Sequence, residues 1–371
     1  MRKNKIDVFH EINTAAKAYW IGFLGADGSN KRFQHAPPKN PTHPNCKYPE
    51  GRIQYQSGIP ALNAVDKEQV ENFKEFIGPC TKANLVYQRG NKGFDGKYVD
   101  TLFVGFLVGG KMLSEDLEKN GVPPNKTCVH EYPTEEQVPN EFLRELTRGY
   151  FDGDGTIFES QRLSGGGSGY PNRKPLNHKT WYLGILGTEA YIKALGKKLK
   201  EALPELSFVF VQEKRVKHRM FDLRIQERKS VLMFLTWLYE GSTEKTRLRR
   251  KFEKAKACIK ELERVEKDIE EFANFELTVS DPKGKTYKVK EKDWFIFAMN
   301  KIKARSMSQA KNLRQGYQKA IHGHNKYQGK DKPKSKGWTI LNVKEANERK
   351  APRGWSQVIG EINKKCGLNQ K

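Results

Sequence analysis

The chain contains two similar stretches, AAKAYWIGFLGADGS (Ala15–Ser29) and FLRELTRGYFDGDGT (Phe142–Thr156), and each predicts a helix that ends at Asp-Gly. Apolar side chains lie nearly all the way round the first helix, so we expect it to be buried. Gly28 and Gly155 are expected to stop the two helices in the left-handed conformation that glycine tolerates. The chain therefore contains an internal repeat.

The elements after each of these helices also match. Periodicity predicts two strands, a helix, two strands and a final helix in both halves, which gives the order α-β-β-α-β-β-α twice. Each half closes on Lys-Thr, at Lys126 and at Lys245, which lie 99 positions after Asp27 and 91 positions after Asp154. The sequence predicts an α+β fold with two pseudo-symmetric domains and antiparallel sheets.

Small residues recur at four-residue spacing within each of the two helices and lie on one face. Such a face lets two helix backbones approach closely, so we expect these helices to pack against each other about a local two-fold axis. That packing would bring Asp27 and Asp154 together at one edge of the interface. The predicted interface residues are Gly22, Ala26, Gly149 and Gly153.

Two carboxylates at adjacent helix C-termini are electrostatically unfavourable. Each lies at the negative end of a helix dipole, and each repels the other. A divalent ion with oxygen preference, Mg²⁺ or Mn²⁺, would neutralise the pair and bind phosphate oxygens as well. Metal-bound water would then be the nucleophile, and Lys126 and Lys245 are the predicted basic residues that assist it.

WIGFLGADG (Trp20–Gly28) and TRGYFDGDG (Thr147–Gly155) resemble the LAGLIDADG motif of homing endonucleases, and the resemblance covers about residues 10–260. It implies that the motif helices lie at the domain interface and that saddle-shaped sheets occupy the DNA major groove. It also implies that both strands are cut across the minor groove to leave 3′ overhangs. Trp20 and Gly25 depart from the family pattern, but neither departure removes a metal ligand.

The resemblance also implies site residues. The metal site is predicted at Asp27 and Asp154 with the adjoining Ala26 and Gly153. The partner is double-stranded DNA with a long asymmetric target, and its own intron RNA stays open as a second partner. Because both halves lie in one chain, we expect a monomer. The predicted DNA-binding residues are Arg52, Gln54, Gln56, Arg173, Lys174, Arg224 and Gln226.

Composition points to the same class of partner. The 371 residues carry a net charge of +24 with a pI near 9.6, an excess typical of proteins that bind polyphosphates. No apolar run is long enough for a membrane span, and the N-terminal stretch is not a secretion signal. We expect a cytoplasmic or nucleoid-associated protein, and an organelle stays open.

The predicted domains are residues 1–138 and 139–262, followed by a connector, 263–280, and a basic extension, 281–371. A charged helix near Thr246–Glu271 is expected to continue the last helix of the second half. The extension carries 19 Lys and 4 Arg against 7 acidic residues, with aromatic residues among the lysines. This pattern predicts a small folded module that contacts DNA phosphates without sequence preference.

Two other functions fit parts of the pattern. An RNA maturase of the LAGLIDADG type would assist intron splicing without cutting DNA, and it does not need the acids that this chain keeps at Asp27 and Asp154. A transcription regulator on the same fold would lack those acids and carry a recognisable helix-turn-helix. Site-specific DNA cleavage is the function that the two acids favour.

Overall fold

The computed structural model describes residues 7–37, 48, 50–78, 85–90, 101–164, 176–213, 220–302, 310, 338–342, 351–355 and 358–361. Two compact units make up the chain, Met1–Ile259 and Lys260–Lys371. The first unit contains both predicted halves. Among the described residues, no helix is both long enough and apolar enough to cross a membrane.

The first half has the predicted order of elements, and its four strands form an antiparallel sheet in the order β1-β2-β4-β3. Its elements are α1 (Ala15–Ala26), β1 (Ser29–His35), β2 (Arg52–Asn63), α2 (Lys67–Ile77), β3 (Val86–Gly90), β4 (Thr101–Val108) and α3 (Lys111–Lys119).

The second half repeats this arrangement, with the antiparallel strand order β5-β6-β8-β7. The two halves confirm the predicted α+β fold with two αββαββα domains. The elements of the second half are α4 (Leu143–Asp154), β5 (Gly155–Ser164), β6 (Leu176–Thr188), α5 (Glu189–Ala202), β7 (Val209–Glu213), β8 (Met220–Ile225) and α6 (Arg228–Tyr239).

Each sheet has one buried face and one open face. In the first half, Ile59, Val104 and Phe106 are fully buried and belong to one hydrophobic core with α1 and α2. In the second half, Leu183 and Ile185 are fully buried on the corresponding face of β6. Because successive strand residues point to opposite faces, the residues between them lie on the open face of each sheet.

Helices α1 and α4 pack against each other with almost no side-chain spacer. A Cβ added at Gly22 would lie 2.1 Å from the carbonyl oxygen of Leu146, and one at Gly149 would lie 1.9 Å from that of Tyr19. Tyr19 and Leu146 occupy equivalent positions in the two helices, three residues before the respective glycines. The contact is therefore the same from both sides, as a local two-fold axis requires.

The two helices end differently from the prediction. Neither Gly28 nor Gly155 adopts a left-handed conformation, and Gly155 is extended, with φ −75° and ψ 153°. A Cβ at Gly28 would lie 2.5 Å from the carbonyl oxygen of Leu24, and one at Gly155 would lie 2.4 Å from that of Phe151. These glycines are needed because the chain passes directly from helix into strand across the last helical turn.

Helix α7 (Arg249–Asn274) is separate from α6, contrary to the expectation that the charged helix continues it. The two helices are separated by Gly241, with φ 66°, and by a short 3-10 helix, Glu244–Thr246. The expected connector, 263–280, consists of the end of α7 and strand β9 (Glu276–Ser280). This stretch is regular because β9 pairs with two other strands.

The second unit has its own small core. Strand β9 lies between β10 (Thr286–Lys290) and β11 (Thr339–Ile340), and helix α8 (Trp294–Asn300) follows β10. Trp294 is fully buried, and its indole Nε1 donates to the carbonyl oxygen of Ala310 at 3.1 Å. The described part of this unit is folded, as the aromatic residues among the lysines predict.

Candidate active site

The close packing of α1 and α4 brings their C-terminal ends together. A Cβ at Gly153 would lie 2.3 Å from the Cβ of Ala26 and 3.2 Å from the backbone nitrogen of Asp27. Asp27 follows the last residue of α1, and Asp154 is the last residue of α4. Both acids are half-buried. The structure thus places the two predicted catalytic acids at one end of the interface.

The environment of these acids disfavours their charged forms. Burial raises the pKa of Asp27, and nearby Lys251 and Lys126 partly oppose the rise. Burial and the neighbouring Asp27 carboxylate raise the pKa of Asp154 to about 6. Two carboxylates that resist ionisation side by side form a site that gains stability when a cation binds.

Lys126 lies beside the acids, and local backbone geometry places it there. Asn125 lies in the left-handed region, with φ 54°, the one non-glycine residue among those described that does so, and the 3-10 helix Lys126–Cys128 begins directly after it. The Nζ of Lys126 donates to the carbonyl oxygen of Ala26 at 2.5 Å. Burial lowers the pKa of Lys126, while the Asp154 and Asp27 carboxylates oppose the lowering.

Lys251, in the first turn of α7, makes the equivalent contact in the second half. Its Nζ donates to the carbonyl oxygens of Gly153 at 2.7 Å and Phe151 at 2.8 Å. Gly153 precedes Asp154 as Ala26 precedes Asp27. Burial lowers the pKa of Lys251 to about 8, against the opposing effect of acids that include Asp27 and Asp154.

Lys245, the lysine predicted for the second half, lies elsewhere. Its side chain is 65% exposed and forms an ion pair with Glu75. The Lys-Thr match between the halves is misleading because the chain from α6 to α7 takes a different course from the chain after α3. A spacing signal existed: Lys251 lies 97 positions after Asp154, closer to the 99 positions of the first half.

The atoms at this edge of the interface that could bind a metal are oxygens, which suits Mg²⁺. Mg²⁺ is usually held by one or two carboxylates together with water and substrate phosphate, so Asp27 and Asp154 form an adequate protein contribution. The predicted carbonyl ligands of Ala26 and Gly153 each accept a hydrogen bond from a lysine. Within the described residues, no cluster of three or more His, Cys, Asp or Glu side chains is suited to a metal ion.

The predicted DNA-binding residues of the first half share the open face of the first sheet. Arg52, Gln54 and Gln56 alternate along β2 with Ile53 and Tyr55, which share the other face with buried Ser57. Arg52 and Gln54 are exposed, and Gln56 is half-buried. The Oε1 of Gln54 lies 2.9 Å from the Nε2 of His35 on neighbouring β1.

In the second half, Arg224 lies on the open face of β8, opposite Gly184 of β6. Its Nε donates to the Oδ2 of Asp222 at 2.6 Å, so the guanidinium has a fixed orientation. Gln226 follows β8 and is exposed. Arg173 and Lys174, also predicted to bind DNA, lie outside the described residues.

Solved structures that resemble this chain include several DNA-bound nucleases. They include the meganuclease I-SmaMI bound to uncleaveable DNA, the LAGLIDADG meganuclease I-AabMI bound to uncleaved DNA, and the I-LtrWI LAGLIDADG homing endonuclease bound to target DNA. Their sequence identities are 11%, 11% and 14%, and their TM-scores are 0.43, 0.41 and 0.43. The matches cover 66%, 68% and 68% of this chain and 90%, 92% and 91% of theirs.

No protein-family model matches the chain, and no curated protein matches it. The chain resembles monomeric LAGLIDADG homing endonucleases in its two motifs and in the order of its elements.

Proposed function

We propose that this protein is a site-specific endonuclease that hydrolyses both strands of double-stranded DNA. One observation carries the proposal: two carboxylates meet at the ends of two packed helices, and a lysine is hydrogen-bonded to the carbonyl that precedes each of them. Two equivalent acid and lysine sets related by a local two-fold axis suit a substrate whose two strands are related in the same way.

Asp27 and Asp154 would hold Mg²⁺ or Mn²⁺. When bound, the ion supplies an activated water and stabilises charge on the phosphate oxygens. Lys126 and Lys251 lie beside the carboxylates, where a positive charge stabilises the phosphorane-like transition state electrostatically. Their lowered pKa values also suit them to exchange a proton with water at the site.

The open sheet faces would lie in the major groove and read a long asymmetric target. Arginine and glutamine side chains such as Arg52, Gln54 and Arg224 can make paired hydrogen bonds to base edges. The acids would then cut across the minor groove and leave 3′ overhangs, as the motif resemblance implies. A single chain would act as a monomer, because it supplies both halves of the site.

The second unit would add phosphate contacts. Exposed lysines on and next to its described sheet include Lys283, Lys290 and Lys292. Changing these three to glutamine should lower the affinity for unrelated DNA sequences uniformly. The slope of log affinity against log salt concentration should become shallower by about 1 for each lost phosphate contact. An altered base preference in this variant would contradict a sequence-independent role.

The test of the proposed function is cleavage of a randomised duplex library with Mg²⁺, followed by sequencing of the ends. The wild type should cut both strands at one long site, and Asp27→Asn and Asp154→Asn should each abolish double-strand cutting. Asp268→Asn, at an exposed position of α7, is the matched control and should cut normally.

A wild type that binds nucleic acid without metal-dependent cutting would overturn the proposal. Selective binding of a structured intron RNA would then favour a maturase, and selective binding of a duplex would favour a regulator. An Asp268→Asn variant that also fails would show that loss of an acidic residue in general, rather than loss of these two ligands, stops the reaction.

A further inference from the structure

Two buried side chains lie between the proposed catalytic acids and the segments that carry the lysines. We infer that Asp152 and His130 are positioning residues, each of which holds one lysine-bearing segment in place for the cutting of one DNA strand. This inference rests on the proposed function and extends it to residues that contact neither DNA nor metal. Asp152 acts in the second half and His130 in the first.

Asp152 is fully buried two residues before Asp154, and each of its carboxylate oxygens is hydrogen-bonded. Oδ1 accepts from the hydroxyl of Tyr239 at 2.8 Å. Oδ2 accepts from the hydroxyl of Tyr19 at 2.9 Å and from the backbone N–H of Leu248 at 2.7 Å. Three donors in a buried setting hold the carboxylate in a single orientation.

The bond to Leu248 fixes the beginning of α7. Leu248 immediately precedes the first residue of that helix, where backbone N–H groups have no partner within the helix. Lys251 follows three residues later, and its Nζ returns to the carbonyl oxygen of Gly153, the residue next to Asp152. Asp152 holds the start of α7, and Lys251 holds the end of α4, so the two bonds close a short loop directly before Asp154.

The first half has no side chain at the equivalent position, which is Gly25. The ring of His130 occupies the space: a Cβ at Gly25 would lie 2.9 Å from its Cε1. The backbone N–H of His130 donates to the carbonyl oxygen of Lys126 at 2.9 Å. His130 therefore connects α1 to the turn that carries Lys126.

His130 is also fixed from the second half. Its ring stacks on Tyr191 with a centroid distance of 4.7 Å, and its backbone carbonyl accepts from the hydroxyl of Thr188. Its Nε2 lies 3.1 Å from the carbonyl oxygen of Gly121. These contacts come from both halves, so the Lys126 segment is held independently of Asp152.

Because the two lysines are held by separate contacts, loss of either positioning residue should slow mainly one strand. The substrate is the intact target duplex, which carries a different label at each of its two 5′ ends. The full chain is in excess, and Mg²⁺ is present. Asp152→Ala should slow cutting of one strand by about 10- to 100-fold, and His130→Ala should slow the other strand by a similar factor. Affinity for the duplex should stay unchanged.

Conservative variants separate positioning from general stability. Asp152→Asn keeps an oxygen that can accept from Leu248, and His130→Phe keeps a ring beside Gly25, so each should recover most of the lost rate. Val231→Ala is the control, because it removes packing at a fully buried position of α6. It should leave the ratio of the two strand rates unchanged.

Hydrogen exchange of the metal-free protein gives a readout that does not need cleavage. Asp152→Ala should speed exchange in the peptide that contains Leu248 and Lys251, and His130→Ala in the peptide that contains Lys126. Equal slowing of both strands, or unchanged exchange in these peptides, would overturn the inference. If the wild type itself does not cut DNA, the proposed function fails, and hydrogen exchange alone decides whether Asp152 and His130 hold these segments.

Discussion

In both halves of the first unit, a lysine contacts the end of the motif helix, but the lysine comes from a different segment of the chain in each half. In the first half, Lys126 comes from a 3-10 turn after α3, and in the second half, Lys251 comes from the first turn of α7. Both Nζ atoms donate to the carbonyl that precedes the acid. The shared feature is the position of a charge, and several backbone paths can deliver it.

The residues that support each lysine differ even more. Asp152 is a fully hydrogen-bonded carboxylate, whereas its counterpart Gly25 has no side chain and lies against the ring of His130. A buried carboxylate requires donors, which Tyr19 and Tyr239 supply. The His130 ring instead stacks on an aromatic surface, which Tyr191 supplies. Each half is consistent within itself, so exchanging residue 25 or 152 alone between the halves would leave a group without its partners.

Removal of the lysines should have the largest effect on the rate of cutting. Lys126→Met and Lys251→Met should each lower the rate of cutting by about 100- to 1000-fold, because each removes a positive charge beside the proposed catalytic acids. Lys245→Met should cut within about twofold of the wild type, since an exposed ion pair contributes little. Single-turnover cleavage measures all three. A slow Lys245→Met variant with a normal Lys251→Met variant would reverse the assignment.

The helix interface predicts equal effects from both halves. Gly22→Ala and Gly149→Ala each place a Cβ about where a backbone oxygen of the partner helix lies, and each should lower the free energy of unfolding by about 1–3 kcal/mol. Gly109→Ala is the control, because its Cβ would meet its nearest neighbour at 3.4 Å. Denaturant midpoints measure the changes. Clearly unequal losses would show that the interface is not two-fold symmetric.

The open face of the second sheet carries an arginine with a fixed orientation, and this predicts an effect on base recognition. Asp222 orients Arg224 through its Nε and leaves the end of the guanidinium directed for paired contacts, which suit guanine. Arg224→Ala should relax the preference at one base pair by about 1–3 kcal/mol, and Asp222→Ala should relax it at the same base pair by less. Library cleavage measures both. Changes at two distant base pairs would contradict the orienting role of Asp222.

Asp154 predicts a smaller effect that depends on pH. Its pKa is raised to about 6 by burial and by Asp27, so ionisation of this acid destabilises the metal-free fold as pH rises from about 4 to 6. Asp154→Asn removes this charge and should raise the denaturant midpoint at pH 7, although it stops cutting. The gain should disappear as the pH is lowered towards 4. A gain that persists at pH 4 would point to a cause other than the charge.

Periodicity predicts the seven elements of each half, because burial of one face of every helix and strand imprints a repeat on the sequence. The glycines at positions 22 and 149 identify the helix interface for a similar reason. A Cβ at either position would lie about 2 Å from a backbone oxygen of the partner helix, so glycine fits best there. Sequence alone also points to Asp27 and Asp154 through the repeated motif and to Lys126 through the Lys-Thr match, and the structure brings these three residues to one end of the helix interface.

Tertiary structure decided the rest. Lys251 and His130 reach the site from segments whose course depends on how α7 and the chain after α3 pack, and the sequence pattern does not encode that course. The sequence predicts Gly28 and Gly155 as left-handed helix stops, but their role as close-approach points depends on the direction in which the following strand leaves. Local sequence determines the elements because their interactions are short-range. The packed fold determines which charges meet, because those contacts join residues about 100 positions apart.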